Sequence, residues 1–215
     1  MDEFEEDEKG KSPIIYIIAV FLILLMVVTI VPLYNIKIDP RPSYIPTVEE
    51  VFLFQNNIST ETVSLKSRED FLNFVVPESP IVKTTANRIV TLACEENKIC
   101  NAKVIYYFVR DNFQYISDPV NFEYVELPQD FIVSGGGDCE SGTLLMANLM
   151  EAVGIDSQLV FIPNHAFLRI RLPDAKSRYR LDEQWVYLDW TCSYCDFGET
   201  PINNINAEKQ FLDVY

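Results

Sequence analysis

Residues 135–145 read GGGDCESGTLL, a run of three glycines that leads directly into a helical pattern with a cysteine in its first turn. The unpaired amides at a helix N-terminus, together with the positive end of the helix dipole, stabilise a negative charge. A cysteine in that position loses its proton more easily and becomes a better nucleophile. The backbone amide of Cys139 can also hold a developing oxyanion. The pattern therefore predicts a nucleophilic cysteine on a helix over 139–153, although a small buried hydrophobe would fit the same place.

The only histidine of the chain lies downstream, in the sequence PNHAFLRIRL at 163–172. Apolar and other residues alternate there, which predicts a strand that places His165 on its less apolar face. A lone histidine excludes sites that need two of them, including Cys2His2 fingers and HExxH zinc sites. Any imidazole chemistry must therefore use His165, and the competing interpretation is a structural histidine with satisfied hydrogen bonds.

A third candidate, Asp189, ends the apolar stretch QWVYLDW at 184–190. A carboxylate among large apolar side chains is costly unless it is paired. If this stretch forms the strand beside His165, Asp189 can accept a hydrogen bond from an imidazole nitrogen. That bond would fix the tautomer of the ring and stabilise its protonated form.

These segments together resemble the transglutaminase-like superfamily, of prokaryotic or archaeal type. The similar residues are GGGDCESGTLLMANLMEAVGIDSQLVF, HAFLRI and WVYLDWT, preceded by the lead-in KVIYYFVRDNFQYISDP. The resemblance covers roughly residues 80–195. It implies an α+β, papain-like core, in which the helix that carries the thiol packs on an antiparallel sheet that carries the other two residues.

The resemblance also implies roles for three residues: Cys139 as nucleophile, His165 as base and Asp189 as the orienting acid. Phe167 stands where tryptophan is common in the family and Trp190 where proline is common, but neither departure removes a catalytic atom. No side-chain oxyanion donor can be matched, so the backbone amide of Cys139 is the only one named.

The chemistry implied by this resemblance is acyl transfer at a peptide bond or glutamine carboxamide through a thioester. Proteases, amidases, cross-linking enzymes and inactive members share the family, and the sequence does not choose among hydrolysis, cross-linking and deamidation. A protein or peptide substrate is expected, with no cofactor and no metal. The alternative is a non-catalytic module that binds protein or peptide.

The charge of the chain limits its partners. Its 215 residues carry a formal net charge of −15, with a pI of about 4.4, which argues against binding to nucleic acid. Six acids and two lysines lie in residues 1–12, so this tail contributes −4.

An uncharged apolar run fills 14–31, between Pro13 and Pro32, and predicts a single transmembrane helix over 13–34. A cleaved signal peptide and a buried core helix are the competing interpretations. A signal peptide would have a basic N-terminus and small residues at a cleavage site, and this stretch has neither. Flanking lysines and arginines are balanced, so the positive-inside rule gives no orientation. An N-terminal anchor before one folded domain, together with paired cysteines, favours an extracytoplasmic domain at the cell membrane.

The sequence thus divides into an acidic tail (1–12), a transmembrane helix (13–34), a proline-containing linker (35–47) and one domain (48–215). Within that domain we predict helices over 67–76, 80–96, 102–112 and 139–153. Strands are predicted over 48–56, 113–117, 158–162, 165–172 and 185–190.

Four cysteines remain besides Cys139. Cys192 and Cys195 suit a loop disulfide, and Cys94 and Cys100 a second one. A zinc site built from these four thiolates, a redox CxxC motif and free thiols are the alternatives. Asn57 begins a glycosylation sequon, a triplet that also occurs by chance.

Overall fold

A computed structural model describes residues 13–52, 62–63, 67–118 and 125–214 of the chain. The acidic tail 1–12 and the sequon at 57–59 lie outside these residues. The chain forms two compact units, of which the first ends at Ile38 and the second is Asp39–Tyr215.

Helix α1, Pro13–Ile38, is the described part of the first unit. Its segment Pro13–Val31 is long and apolar enough to cross a membrane, and no other helix of the described residues is. The helix continues past Pro32 to Ile38, so the first residues of the predicted linker are helical. A proline removes only one hydrogen bond from a helix, and therefore does not have to end it.

The second unit contains six further α-helices among its described residues and two short 3-10 helices. The α-helices are α2 (Val48–Val51), α3 (Pro80–Ala93), α4 (Lys98–Asn112), α5 (Pro128–Ser134), α6 (Cys139–Ala152) and α7 (Ile202–Asn206). The 3-10 helices span Arg68–Phe74 and Ser177–Tyr179.

Eight strands accompany these helices in the described part of the chain: β1 (Thr62–Val63), β2 (Gln114–Tyr115), β3 (Val125–Glu126), β4 (Gly136–Gly137), β5 (Ser157–Ile162), β6 (His165–Arg171), β7 (Trp185–Leu188) and β8 (Gln210–Asp213). The main sheet is antiparallel with the order β7-β6-β5-β8. Strands β1 and β3 pair antiparallel, and β2 and β4 pair parallel.

The core is organised around α6, which contacts α3, α4 and α5 as well as β5 and β6. Every residue from Ser141 to Met150 on this helix is buried. The predicted alternation in β6 is confirmed, since Ala166, Leu168 and Ile170 join the main core while Phe167 packs in a smaller cluster. The α+β, papain-like fold class predicted from the sequence is confirmed.

The prediction of a strand over 48–56 is wrong at its start, because Val48–Val51 is a helix, and residues 53–56 lie outside the described ranges. Thr47 caps it, and the Thr47 amide donates to Glu50 Oε2 at 2.7 Å, which completes a capping box. The same device begins the 3-10 helix at Ser67, where the Ser67 amide donates to Asp70 Oδ2 at 2.9 Å. The short strands β1, β3 and β4 carry too few residues for a periodic signal, and the sequence did not predict them.

Candidate active site

The turn that precedes α6 is built by glycines and an aspartate. Gly135 ends α5 in the left-handed conformation (φ 79°), and the next two glycines form β4 beside β2. A side chain on Gly136 would overlap the backbone of Gln114, which explains the glycine there. Asp138 then caps α6 by accepting from the Ser141 amide at 2.8 Å, so the helix begins at Cys139 as the sequence predicted.

The indole of Trp190 lies directly against the first turn of α6. Its Nε1 donates to the carbonyl oxygen of Cys139 at 3.2 Å, and its ring meets Phe131 edge-on at 5.6 Å. Gly142, in the same turn of the helix, leaves the space that the indole occupies. Trp190 therefore holds the helix end that carries the thiol.

We expect Gly142→Ala to lower the free energy of unfolding by about 1–3 kcal/mol, the usual cost of overpacking. A Cβ at this position would overlap the indole of Trp190, and both residues belong to the packed interior. Chemical denaturation of the full chain in detergent measures the effect. The double variant Gly142→Ala/Trp190→Leu removes the clash. If Gly142→Ala costs the same stability with Trp190 as with leucine in its place, the overlap is not the cause.

His165 and Asp189 meet across the sheet. His165 opens β6, and Asp189 follows directly after β7, the neighbouring strand. The imidazole Nε2 lies 2.9 Å from Asp189 Oδ2. The imidazole is partly exposed, whereas the carboxylate is fully buried. The pairing of β6 with β7 thus brings together two residues that are separated by 24 positions in the sequence.

The carboxylate of Asp189 accepts three further hydrogen bonds. Thr191 donates to Oδ1 through its amide at 3.2 Å and its hydroxyl at 2.7 Å. Asn204 Nδ2 donates to Oδ2 at 2.9 Å. Burial alone would raise the pKa of Asp189, but the hydrogen bonds from His165 and Thr191 outweigh it and bring the pKa below its usual value. The buried carboxylate is therefore held in its ionised form.

The thiol of Cys139 lies beside the start of β6. The Thr143 hydroxyl on α6 donates to the Ala166 carbonyl at 3.3 Å, which ties the first turns of the helix to this strand. The Ala166 backbone amide also stabilises the thiolate of Cys139 by a hydrogen bond. Helix α6 therefore places the thiol next to the backbone that follows His165.

The pKa of Cys139 is raised, whereas the sequence predicted that it would be lowered. Burial of the side chain raises the pKa of this thiol well above its usual value, and the carboxylates of Glu140 and Asp138 add to the shift. Glu140 Oε2 lies 3.2 Å from the sulfur. Desolvation and nearby negative charge therefore both disfavour the thiolate of Cys139.

The acidic side chains of Asp138 and Glu140 lie near the Cys139 thiol. Burial raises the pKa of Asp138 to about 7, and its hydrogen bond with Glu140 contributes to this shift. Burial also raises the pKa of Glu126, with Asp138 contributing through its charge. Burial also raises the pKa of Tyr115, whose ring lies 6.3 Å from that of Trp190.

The other four cysteines form two disulfides, Cys94–Cys100 and Cys192–Cys195. Both link residues close in sequence, with Cα atoms 5.8 and 5.4 Å apart. In this arrangement the four sulfurs are not available as zinc ligands, and Cys139 is the one free cysteine of the chain's five. Within the described ranges no group of three or more His, Cys, Asp or Glu side chains could hold a metal.

Sequence reasoning missed Thr191 and Asn204 as partners of Asp189. Thr191 lies two residues from Asp189, so a local hydrogen bond was foreseeable from the Asp-Trp-Thr sequence. Asn204 lies 15 residues away in a short polar helix, and nothing in its sequence marks it. The role of Trp190 was also unforeseen, because its indole acts on a helix that begins 51 residues earlier.

The family model of the transglutaminase-like superfamily matches residues 83–190, which include all three candidate residues. No match was found among the curated proteins. Among solved structures, a protein assigned as a cysteine protease from Cytophaga hutchinsonii is 17% identical, with a TM-score of 0.42 over 69% of this chain. This chain spans 47% of that protein.

Two structures of Legionella pneumophila LapG, one of them EGTA-treated, are each 20% identical with a TM-score of 0.42. The matches cover 68% and 67% of this chain, and 81% and 80% of LapG.

Proposed function

Because this chain belongs to the transglutaminase-like superfamily, we propose that it is a cysteine acyl-transfer enzyme that acts on protein or peptide substrates. Cys139 is the nucleophile, His165 the base and Asp189 the orienting acid. The observation that carries this proposal is the 2.9 Å contact between the imidazole of His165 and the buried carboxylate of Asp189. His165 begins the strand whose next residue, Ala166, is bonded to the helix that carries the free thiol.

The first half of the reaction forms a thioester. His165 Nε2 is engaged by Asp189, which leaves Nδ1 to take the proton from Cys139. The sulfur then attacks a peptide or carboxamide carbon, and the protonated imidazole returns its proton to the leaving amine or ammonia. The Cys139 amide is the proposed donor to the oxyanion.

The second half resolves the thioester. A water molecule gives up its proton to His165 and attacks the carbonyl carbon, which releases the acid and restores the thiol. A primary amine in place of water gives a cross-linked product instead. The raised pKa of Cys139 supports proton removal during the reaction rather than a thiolate formed beforehand.

The enzyme is proposed to be anchored in the membrane by α1, with its second unit on the extracytoplasmic side. Support comes from the apolar segment Pro13–Val31 and from two disulfides, which persist in oxidising compartments. Release of the chain from membranes by alkaline carbonate, without detergent, would contradict the anchor.

A second candidate function is a non-catalytic module that binds protein or peptide. The observation that favours it is the burial of the Cys139 thiol, whose sulfur lies 3.2 Å from Glu140 Oε2. The two candidates differ in whether the thiol reacts.

Incubation with glutamine-containing peptides and a labelled primary amine tests the proposal. We expect the full chain in detergent to release ammonia, cleave a peptide or incorporate the amine, and Cys139→Ala to do none of these. The matched control is Ser193→Ala, an exposed position outside the site. A chain whose Cys139 also fails to react with iodoacetamide while folded would be the binding module.

A further inference from the structure

Asn204 and His165 hydrogen-bond to the same carboxylate oxygen, Asp189 Oδ2. Asn204 Nδ2 donates to Asp189 Oδ2 at 2.9 Å, and the imidazole Nε2 lies 2.9 Å from the same oxygen. Thr191 occupies the other carboxylate oxygen. Among the described residues, Asn204 and His165 are therefore the two side chains that hydrogen-bond to Asp189 Oδ2.

The segment that carries Asn204 back to the site is fixed at several points. The carbonyl of Cys195 accepts from the Tyr106 hydroxyl at 3.0 Å and from Arg110 Nη1 at 2.6 Å. The Phe197 amide donates to the Tyr107 hydroxyl at 3.2 Å. Helix α4 thus holds the loop after β7, so that α7 and its Asn204 return to Asp189 in a defined position.

We propose that Asn204 is a positioning residue of this site, which fixes the carboxylate of Asp189 and thereby the ring of His165. This inference rests on the proposed function. It assigns to α7 a part in the chemistry, although this helix lies outside the matched residues 83–190.

The effect of the amide on the carboxylate has a definite sign. A hydrogen bond donated to an ionised carboxylate withdraws charge from it and lowers its basicity. Without Asn204, Oδ2 becomes more basic and holds the protonated imidazole more strongly. The carboxylate also loses one of the contacts that fix its rotation, so the imidazole is aligned less well with Cys139.

Neighbouring residues on α7 supply matched controls. Asn203 and Asn206 lie on the same short helix and are exposed to solvent, whereas Asn204 is half-buried and bonded to the carboxylate. Asn204→Ala removes the donor. Asn204→Asp keeps the shape but places a second carboxylate against Asp189.

The single histidine makes a direct measurement available. In the tag-free full chain in detergent, NMR of ¹⁵N-labelled histidine reports the titration of His165 alone, whether or not the protein turns over substrate. We expect Asn204→Ala to move the titration midpoint upward by about half a pH unit. Asn203→Ala and Asn206→Ala should leave it at the wild-type value.

Alkylation of Cys139 by iodoacetamide provides the second measurement. Asn204→Ala should slow this alkylation by about 10-fold at pH 7. The fall of the rate in acid, where His165 is protonated and cannot act as base, should begin at a higher pH than in the wild type. Asn204→Asp should be slower still at pH 7, because a second negative charge beside Asp189 holds the protonated imidazole more strongly. Loss of folding alone would instead expose the buried thiol, which would then be alkylated with the pH dependence of an ordinary free cysteine.

An unchanged titration midpoint in Asn204→Ala would overturn the positioning role, as would a wild-type alkylation profile in that variant. Failure of the proposed function looks different. In that case Cys139 of the wild type would be inert and peptides would remain intact, while the midpoint in Asn204→Ala would still move.

Discussion

Replacing His165 with alanine is expected to reduce acyl transfer by at least about 100-fold, because general-base catalysis of this kind contributes about 10²- to 10⁴-fold. The thiol of Cys139 has a raised pKa, so it depends on a neighbouring base to lose its proton. The chain has one histidine, and no second imidazole can substitute for it. Ammonia release or peptide cleavage by the full chain in detergent measures the loss.

Two further variants make this result specific. Arg171→Ala alters an exposed residue on the same strand and should keep the wild-type rate. His165→Asn retains a donor toward Asp189 but cannot accept the proton of the thiol, so it should be as slow as His165→Ala. Wild-type turnover in a folded His165→Asn chain would exclude His165 as the base.

Replacing Asp39 with asparagine is expected to lower the free energy of unfolding by about 3–5 kcal/mol at pH 7, the usual cost of breaking a buried ion pair. Asp39 Oδ1 bonds to the Nζ of Lys103, and both side chains are buried. Arg178 and Tyr179 bind the other carboxylate oxygen at 2.6 and 2.9 Å. Without the carboxylate, Lys103 would keep a buried charge with no opposite charge beside it.

The pH dependence of this variant has a predictable sign. Burial lowers the pKa of Lys103, and the bonds from Asp39 partly restore it, so the variant lowers this pKa further. The unfolded chain then binds more protons than the folded one between neutral and alkaline pH. Stability of Asp39→Asn should therefore rise with pH in that range. In the wild type, burial raises the pKa of Asp39, but the hydrogen bonds from Lys103 and Tyr179 outweigh it and lower the pKa overall. The stability that the Asp39 carboxylate contributes is therefore lost only as the pH falls into the acid range.

Denaturation curves of the full chain in detergent, followed by tryptophan fluorescence, measure both effects. Asp39→Asn/Lys103→Met removes both charges and should recover most of the lost stability. If the double variant is as unstable as Asp39→Asn, the loss comes from something other than the unpaired lysine.

Much of the site was predictable because its parts are local. A glycine run and an aspartate before Cys139 mark a helix start, and the alternation after His165 marks a strand. The rest depended on contacts between distant segments. Asn204 reaches Asp189 because Tyr106 holds the intervening loop, and no local sequence pattern predicts that contact.

The sequence by itself determined which chemical groups this protein has: one free thiol candidate at a helix start, one imidazole and one acid at a strand end. Tertiary structure alone decided how those groups behave. Burial beside Glu140 raises the pKa of Cys139, and the hydrogen bonds from His165 and Thr191 keep the buried Asp189 ionised. The physical reason is that helix starts and strand alternation arise from neighbours in sequence, whereas desolvation and charge–charge interactions depend on what the folded chain packs around each group.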